Sequence, residues 1–429
     1  MFAGSVRLVV LALGVALITG CGGGGSGDSN SSGGGGGAGG TPTQVFLSFV
    51  NGTPTTLALK IGSGTFVAQS LTSGKFSFSL PSGSTDFAVA YVCTASMFPT
   101  YEDIFELSTA DGTSFTLPCP APYPAQTMGA LSGNIDGSAI PGMNTLNLAV
   151  TNGSEGFVSG VTSGANFNLN VPAGNDRVLI LAYNNLGLQG SSLVGAKSLT
   201  NQSVPGVLNG GNQVVLGPAD AVIARQPITY ANVPGGYGEP VTIGDYIIAA
   251  SGGGFSFGNY TTDFPVFPAG AAVSGDYYQA FAMAKSSAKP TQMMILGKSF
   301  TSAAPLFFNF PPPWSYAGPQ PAARPTFDLA YSGFPSKTGT YMAAYTDWTV
   351  STTGIYEIYM VASSNYLKGA TTLTVPDLTG LAGFVAPPSS GSNVNWVALI
   401  AQDSVGIAMP MSSSATITTV ENGGTYTVP

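Results

Sequence analysis

Histidine does not occur in these 429 residues, and charged residues of every kind make up only 7% of them. Without histidine, neither a Ser-His-Asp nor a Cys-His catalytic set can be assembled. Zinc sites built on imidazole, or on several thiolates, are equally out of reach, because there are only three cysteines. Globular chains ordinarily carry about 25% charged residues. The apolar share here, 44%, is ordinary, so the missing charge does not signal disorder, which pairs low hydrophobicity with high charge. It signals folded material faced with Ser, Thr, Asn, Gln and Gly, a surface suited to export. Positive charge is scarcest of all. No Lys or Arg lies between Lys75 and Arg177, an interval that holds Asp86, Glu102, Asp103, Glu106, Asp111, Asp136, Glu155 and Asp176. A formal charge of -8 and the lack of a basic cluster argue against nucleic-acid binding by counterion release. Polybasic adhesion to anionic lipid is excluded on the same ground.

The longest apolar run near the start, Leu8 to Ile18, follows a single positive charge, Arg7. Its eleven residues would rise only about 16 Å as a helix, short of a hydrocarbon core of roughly 30 Å. The layout is that of a secretory signal. It ends in Ile18-Thr19-Gly20-Cys21, which resembles the lipobox of bacterial lipoproteins. The resemblance implies cleavage before Cys21 and acylation of that residue, with residues 1–20 as the signal peptide. Each buried methylene adds about 0.8 kcal/mol, so two or three acyl chains anchor durably. Gly22, where an Asp would resemble the inner-membrane retention signal of enteric bacteria, favours the outer membrane or cell surface. The alternative is an ordinary secretory signal cleaved nearby.

With Cys21 lipidated, Cys93 and Cys119 remain as a pair in an oxidising compartment. A disulfide is the natural expectation, with two buried free thiols as the alternative. Residues 21–42 comprise that cysteine and a Gly/Ser tether, which as a coil spans roughly 25 Å.

From Gln44 onward the pattern is period-two alternation broken by turn residues. Phe76-Ser77-Phe78-Ser79-Leu80 and Phe167-Asn168-Leu169-Asn170-Val171 both alternate and both run into proline, as do Leu117, Val375 and Val428. Proline lacks the ladder N–H and belongs at strand ends or edges. The segment from Asp276 to Lys285 reads as strand. The fold class expected is all-β: tandem antiparallel β-sandwiches behind the signal and tether.

An internal repeat sets boundaries. Thr72-Ser73-Gly74, Phe76, Leu80-Pro81, Gly83, Asp86 and Ala90-Tyr91 find counterparts in Thr162-Ser163-Gly164, Phe167, Val171-Pro172, Gly174, Asp176 and Ala182-Tyr183. Each copy reads as strand, Pro-x-Gly turn and strand, a hairpin with an apolar inner face. A period near 90 residues means tandem sandwiches over 43–125 and 126–218, followed by a larger region, 219–429, of one sandwich or two. The copies, with NFNLNVPAG running into VLILAYNN in the second, are similar to the carboxypeptidase regulatory-like, transthyretin-like β-sandwich of exported bacterial proteins. That resemblance implies a rigid seven-stranded spacer or binding module without catalytic residues.

Catalytic motifs are thin. Gly254-Phe255-Ser256-Phe257-Gly258 has the nucleophile-elbow spacing but lacks a histidine base and the strand-to-helix turn. Ser286-Ser287-Ala288-Lys289, Lys337-Thr338-Gly339 and Ser363-Ser364-Asn365 occur in the wrong order for a penicillin-binding enzyme. Glu102, Asp103 and Glu106, read as a loop inside the disulfide, form the densest acidic group. Their first reading is a solvated face, with a weak cation site next and paired-carboxylate catalysis last. No calcium-loop motif accompanies them, and no cofactor is expected. Trp396 reads as core, and Trp348 is undecided. Trp314 and Tyr316, in a proline-rich loop running to Pro325, are the candidate aromatic platform for a glycan. The function expected is a membrane-anchored surface lipoprotein that binds a glycan or surface protein, or acts as a scaffold, without catalysis. The alternative is a polysaccharide hydrolase using paired carboxylates.

Overall fold

The computed structural model describes residues 42–50, 52–71, 74–93, 100–119, 127–152, 155–184, 193–221, 223–248, 254–334, 339–351, 354–403 and 415–429. Among them are twenty-eight strands, one four-residue α-helix and two short 3-10 turns. The chain is all-β, and its strands fall into four successive units that share one order.

The first unit holds β1 (Thr43–Val50), β2 (Thr56–Ile61), β3 (Val67–Gln69), β4 (Lys75–Leu80), β5 (Asp86–Cys93), β6 (Thr100–Ser108) and β7 (Ser114–Pro118). β1 runs antiparallel to β4 and parallel to β7 in one sheet, and the facing sheet has the order β6-β5-β2-β3. The second unit holds β8 (Met128–Asp136), β9 (Thr145–Asn152), β10 (Glu155–Val161), β11 (Asn166–Pro172), β12 (Gly174–Tyr183), β13 (Leu193–Val204), β14 (Gly206–Val207) and β15 (Val214–Val215). Its sheets are β11-β8-β14, with β15 also parallel to β8, and β13-β12-β9-β10.

The third unit holds β16 (Ala224–Ala231), β17 (Val241–Ile247), β18 (Gly254–Tyr260), β19 (Asp263–Val266), β20 (Tyr277–Lys285), β21 (Met293–Phe300) and β22 (Leu306–Asn309). It repeats the order as β19-β16-β22 against β21-β20-β17-β18. The fourth unit holds β23 (Thr326–Asp328), β24 (Thr340–Ser351), β25 (Gly354–Ser363), β26 (Thr372–Thr374), β27 (Asn393–Asp403) and β28 (Thr416–Thr427), arranged as β26-β23 against β28-β27-β24-β25. Among the described residues its β23 has a single strand neighbour.

The repeated segments of the sequence occupy matching places. β4 and β11 are both edge strands, where the prolines that close them, Pro81 just beyond β4 and Pro172 at the end of β11, cost no ladder bond. Phe76 and Phe167 pack against the cores of their own units. The Pro-x-Gly segments are not hairpin turns, however. β4 pairs with β1 while β5 pairs with β2 and β6, so the turn carries the chain from one sheet to the other. Two apolar faces meet across the sandwich core instead of lying side by side, and Gly83 supplies the positive φ of +82° that the crossing needs.

The four larger sheets do not stay separate. They join edge to edge into one sheet of sixteen strands, in the order second, third, fourth and first unit. Glu155 of β10 lies opposite Gly254 of β18. β21 and β28 run antiparallel, from Met293 opposite Glu421 to Lys298 opposite Thr416. β25 and β6 run parallel, from Tyr356 opposite Thr100 to Ala362 opposite Glu106. The nearest strands of the first and second units, β6 and β10, therefore lie nine strand positions apart in the sheet, about 43 Å at the usual spacing. Yet only the eight peptide steps from Cys119 to Thr127 join them, a reach of at most about 29 Å. The sheet must curl to bring its ends together.

Both faces of the shared sheet are covered. One face, called here the tryptophan face, carries Trp348 and Trp396 together with Tyr246, Tyr278, Leu296, Met360 and Ile104, all buried in one continuous cluster. The small sheets of the third and fourth units pack on it, through Phe264, Phe308, Phe327 and Leu373. On the opposite face lie separate cores where the small sheets of the first and second units pack: Leu47, Leu117, Tyr91 and Phe105 in one, Leu131, Val171, Val150 and Ile180 in the other. Two-sided burial explains why β5 is buried at all but its first residue, and why it reads as a near-continuous apolar run.

Candidate functional site

The densest chemistry in the fold sits where the first and fourth units meet, along β6 and β25. Strand alternation sends Glu102 and Glu106 to the tryptophan face and Asp103 to the other. Glu102 is fully buried. Its Oε2 accepts the Val385 N–H at 3.1 Å, and its Oε1 stands 3.9 Å from Arg324 Nη1. Burial pushes the Glu102 carboxyl up to about 7, against the pull of the Arg324 charge and the Val385 N–H. Glu106 accepts from Lys60 Nζ at 3.0 Å and from the Tyr366 hydroxyl at 3.1 Å. Burial alone would lower the Lys60 pKa, but Glu106 and Tyr366 together raise it. The same ammonium lies 5.3 Å from the Phe66 ring centre and 5.5 Å from that of Tyr366.

Tyr366 belongs to α1 (Ser364–Leu367), whose N-cap Ser363 accepts the Tyr366 N–H. Asp111 binds Ser363 and Asn365, and Lys368 reaches Asp86 at 2.5 Å. The fourth unit thus lays its segments from 363 to 368 and around 385 over the tryptophan face of the first.

Asp103 has different company. It is 4% exposed, on the face where Tyr91 and Tyr359 lie directly opposite it on the neighbouring strands. Burial drives its carboxyl well above the usual range, and the nearby Glu102 and Glu357 charges push the same way. Glu357, 2% exposed, lies two residues along the adjacent strand, and Asp347 lies directly opposite Glu357 on β24.

These positions correct the reading of residues 102–106 as a solvated loop. The three acids stand on a strand, and burial of both its faces takes them out of water. A catalytic pair does not form from them. Glu102 and Asp103 project from opposite faces. Glu102 and Glu106 lie four residues apart along one strand, about 13 Å, beyond the roughly 5–9.5 Å that glycoside hydrolysis uses.

The aromatic platform is also corrected. Trp314 is 4% exposed, donates from Nε1 to the Ala330 carbonyl at 3.1 Å and stacks on Tyr316 with ring centres 5.0 Å apart. Tyr316 in turn meets Trp396 edge-on at 5.5 Å. The prolines hold the loop inward, where its aromatics fill the core of the fourth unit, the one without a seventh strand among the described residues. Trp348 and Trp396 are buried as well.

Cys93 and Cys119 are joined, with Cα atoms 5.6 Å apart and both residues buried. The bridge ties the end of β5 to the residue after β7. Cys21, the tether and Lys337 lie outside the described residues. Gly254–Gly258 is part of β18, a strand with no elbow, and Asp276–Lys285 forms β20 from Tyr277 on. Ser363 serves as a helix cap. Sequence reasoning missed Lys60, Arg324, Tyr366 and Lys368. Each meets its carboxylate from 46 to 282 residues away, and no local spacing announces such pairs.

Comparison with known proteins adds little. No family model matches the chain, and no curated protein matches it. Among solved structures, the Bacillus anthracis TIE protein shows a TM-score of 0.15 and 11% identity, covering 84% of this chain and 63% of that one. The pilus adhesin SpaC from Lactobacillus rhamnosus GG, in an open conformation, shows 0.13 and 11%, covering 75% and 43%. The chain spans less than two thirds of either. Likeness this slight carries no argument about fold or function. Among the described residues no helix is long and apolar enough to cross a membrane.

Proposed function

We propose that this chain is a surface lipoprotein, anchored through Cys21 to the outer membrane or cell surface, with a non-catalytic binding or scaffolding role toward other surface molecules. The observation that carries the reading is the fusion of four sandwiches into one sheet. A single folded body with both sheet faces covered, held off a lipid surface by a Gly-rich tether, is mechanically a scaffold. The buried Glu102–Arg324 pair and the Tyr366–Glu106 hydrogen bond between the fourth unit and the first support the same reading, since they hold the units in fixed relation. The resemblance of the first two units to carboxypeptidase regulatory-like modules belongs to this proposal too, as a spacer or binding role.

Cys21→Ser tests the anchor. The substitution is expected to move the protein into the soluble fraction and to abolish incorporation of a clickable fatty acid. Unchanged membrane retention with label elsewhere would overturn it. The same soluble variant, immobilised and probed with cell-surface glycans and surface proteins, tests the binding role.

A further inference from the structure

We propose that the free edge of β11, in the second unit, is a docking site for an extended, uncharged segment of another protein, which adds to the small sheet as a further strand. The phase of the ladder defines that edge. Ala173 donates to the Thr127 carbonyl at 2.7 Å, and bonded positions alternate along an antiparallel pair. Phe167, Leu169 and Val171 therefore bond to β8, while Asn166, Asn168 and Asn170 turn their N–H and C=O groups away from it. The three asparagines are exposed, and Phe167 and Leu169 are only half-buried. Among the described residues no group bonds to the outward main-chain atoms of Asn168 and Asn170.

The corresponding strands of the other three units are guarded. β4 opens on the exposed Lys75, β19 holds Asp263 and Pro265, and β26 is only three residues long. Charge, proline and shortness are the usual devices that keep a sheet edge from pairing. β11 has none of them. It is seven residues long and uncharged, and its one proline stands at the last position. An edge protected in three units and left open in one is an edge where pairing is used.

The shared sheet decides what can enter. β11 lies over β9 and β10, and beyond β10 the sheet runs on as β18 and β17. Strand alternation turns Ser256 and Ile243 of those two strands to the side where β11 lies; Ser256 is exposed and Ile243 half-buried. A second copy offering its own β11 would carry its own large sheet into the space that β18 and β17 fill. A single extended segment brings no second layer. Its main chain meets Asn168 and Asn170, and its side chains at every second position cover Phe167, Leu169 and Ile243, which selects apolar residues there. β11 and β18 carry no charge, and Asp136 of β8 lies past the start of β11, so nothing beside the edge offsets a charge on the incoming segment.

Such a site gives the binding role proposed above a partner class, and it rests on that role but not on the Cys21 anchor. Two displayed peptide libraries, panned on the full chain carrying Cys21→Ser, test it. One alternates Val, Ile, Leu or Phe with Ser, Thr or Asn, and the other holds the same residues in scrambled order. The alternating library should be enriched over the scrambled one. A peptide so selected should bind Asn168→Pro at least about tenfold more weakly, because proline removes the outward N–H and leaves the bonds to β8 in place. Asn168→Thr, which keeps that N–H, should bind it normally. Equal enrichment of both libraries, or equal binding to Asn168→Pro, would overturn the site. Should the Asn168→Pro chain fail to fold, hydrogen exchange on the chain without it decides the matter. The Asn168 and Asn170 amides should gain at least about tenfold protection when the selected peptide is bound, and protection confined to another strand would overturn the proposal. Capture of glycans by a chain that selects no peptide would also overturn it, while leaving the binding role standing.

Discussion

On the tryptophan face of β6, Glu102 and Glu106 each meet a cation brought from elsewhere in the chain. On the other face, one residue along, Asp103 meets tyrosines and further carboxylates. The strand, the depth and the chemical group are nearly the same on the two sides, yet the solutions differ. On the first side burial is offset in part by an opposite charge and by hydrogen bonds. On the second, burial drives the Asp103 carboxyl well above its usual range, which makes stability depend on pH. What decides between them is which covering layer reaches the seam. Loop segments with Arg324 and Lys368, and β2 with Lys60, flank the tryptophan face, whereas uncharged β1 and β7 line the other.

The comparison breaks most clearly at Arg324. Replacing it by Leu strands Glu102, a fully buried carboxylate, and breaking such a pair costs about 3 kcal/mol. Chemical denaturation should show that loss at pH 8 and a much smaller one at pH 5. Glu102, already pushed up to about 7 with its partner present, takes a proton more readily without it. An equal loss at both pH values would mean that Arg324 acts through packing alone.

The whole chain should follow the acid-only side. Burial raises Glu102 to about 7, Asp176 to about 6, Asp245 to about 6 and Glu421 to about 8. For each, the native state binds a proton that the unfolded chain releases near pH 4, so stability falls as pH rises through these values. Asp86, Asp136 and Asp377 are shifted downward. Their contribution is present above about pH 4 and is lost only on further acidification. Between pH 8 and pH 5 the unfolding free energy should therefore rise, by at least the roughly 1.4 kcal/mol that one pKa unit represents. A denaturation midpoint that drops over that interval would contradict the assignment of these groups as proton-holding.

The smallest effect is expected at the rim. The Lys368 side chain is 63% exposed where it meets Asp86, and solvent screens such a pair to under about 0.5 kcal/mol. Lys368→Ala should leave the midpoint nearly unchanged, whereas Lys60→Met, deeper in the same face, should lower it measurably. Comparable losses in the two variants would show that depth does not set the value of these contacts.

Much of this protein can be read along the chain. Period-two alternation with proline closures marks β4 and β11 as edge strands, because the alternation is a property of the strand itself and proline cannot donate to a ladder. The disulfide follows from a cysteine count. The matched segments around Phe76 and Phe167 locate two units, but the third and fourth escape notice, since their common strand order is not accompanied by common residues. The acids of β6 mislead for a related reason. Glu102-Asp103 followed by Glu106 looks like a wet loop until a second layer is known to cover each face. Trp314 misleads in the opposite sense, because a proline-rich segment presents an aromatic outward or inward depending only on what lies beside it.

Local chemistry alone therefore determined that the chain is built of strands, where those strands end, and that few charges exist to be satisfied. The tertiary structure decided which edges meet, and hence that four sandwiches share one sheet. It also decided which carboxylates find a cation and which stand among tyrosines and further carboxylates. Strand formation depends on neighbours two residues away, but edge pairing and burial depend on surfaces brought together over hundreds of residues, and no spacing in the sequence records those meetings.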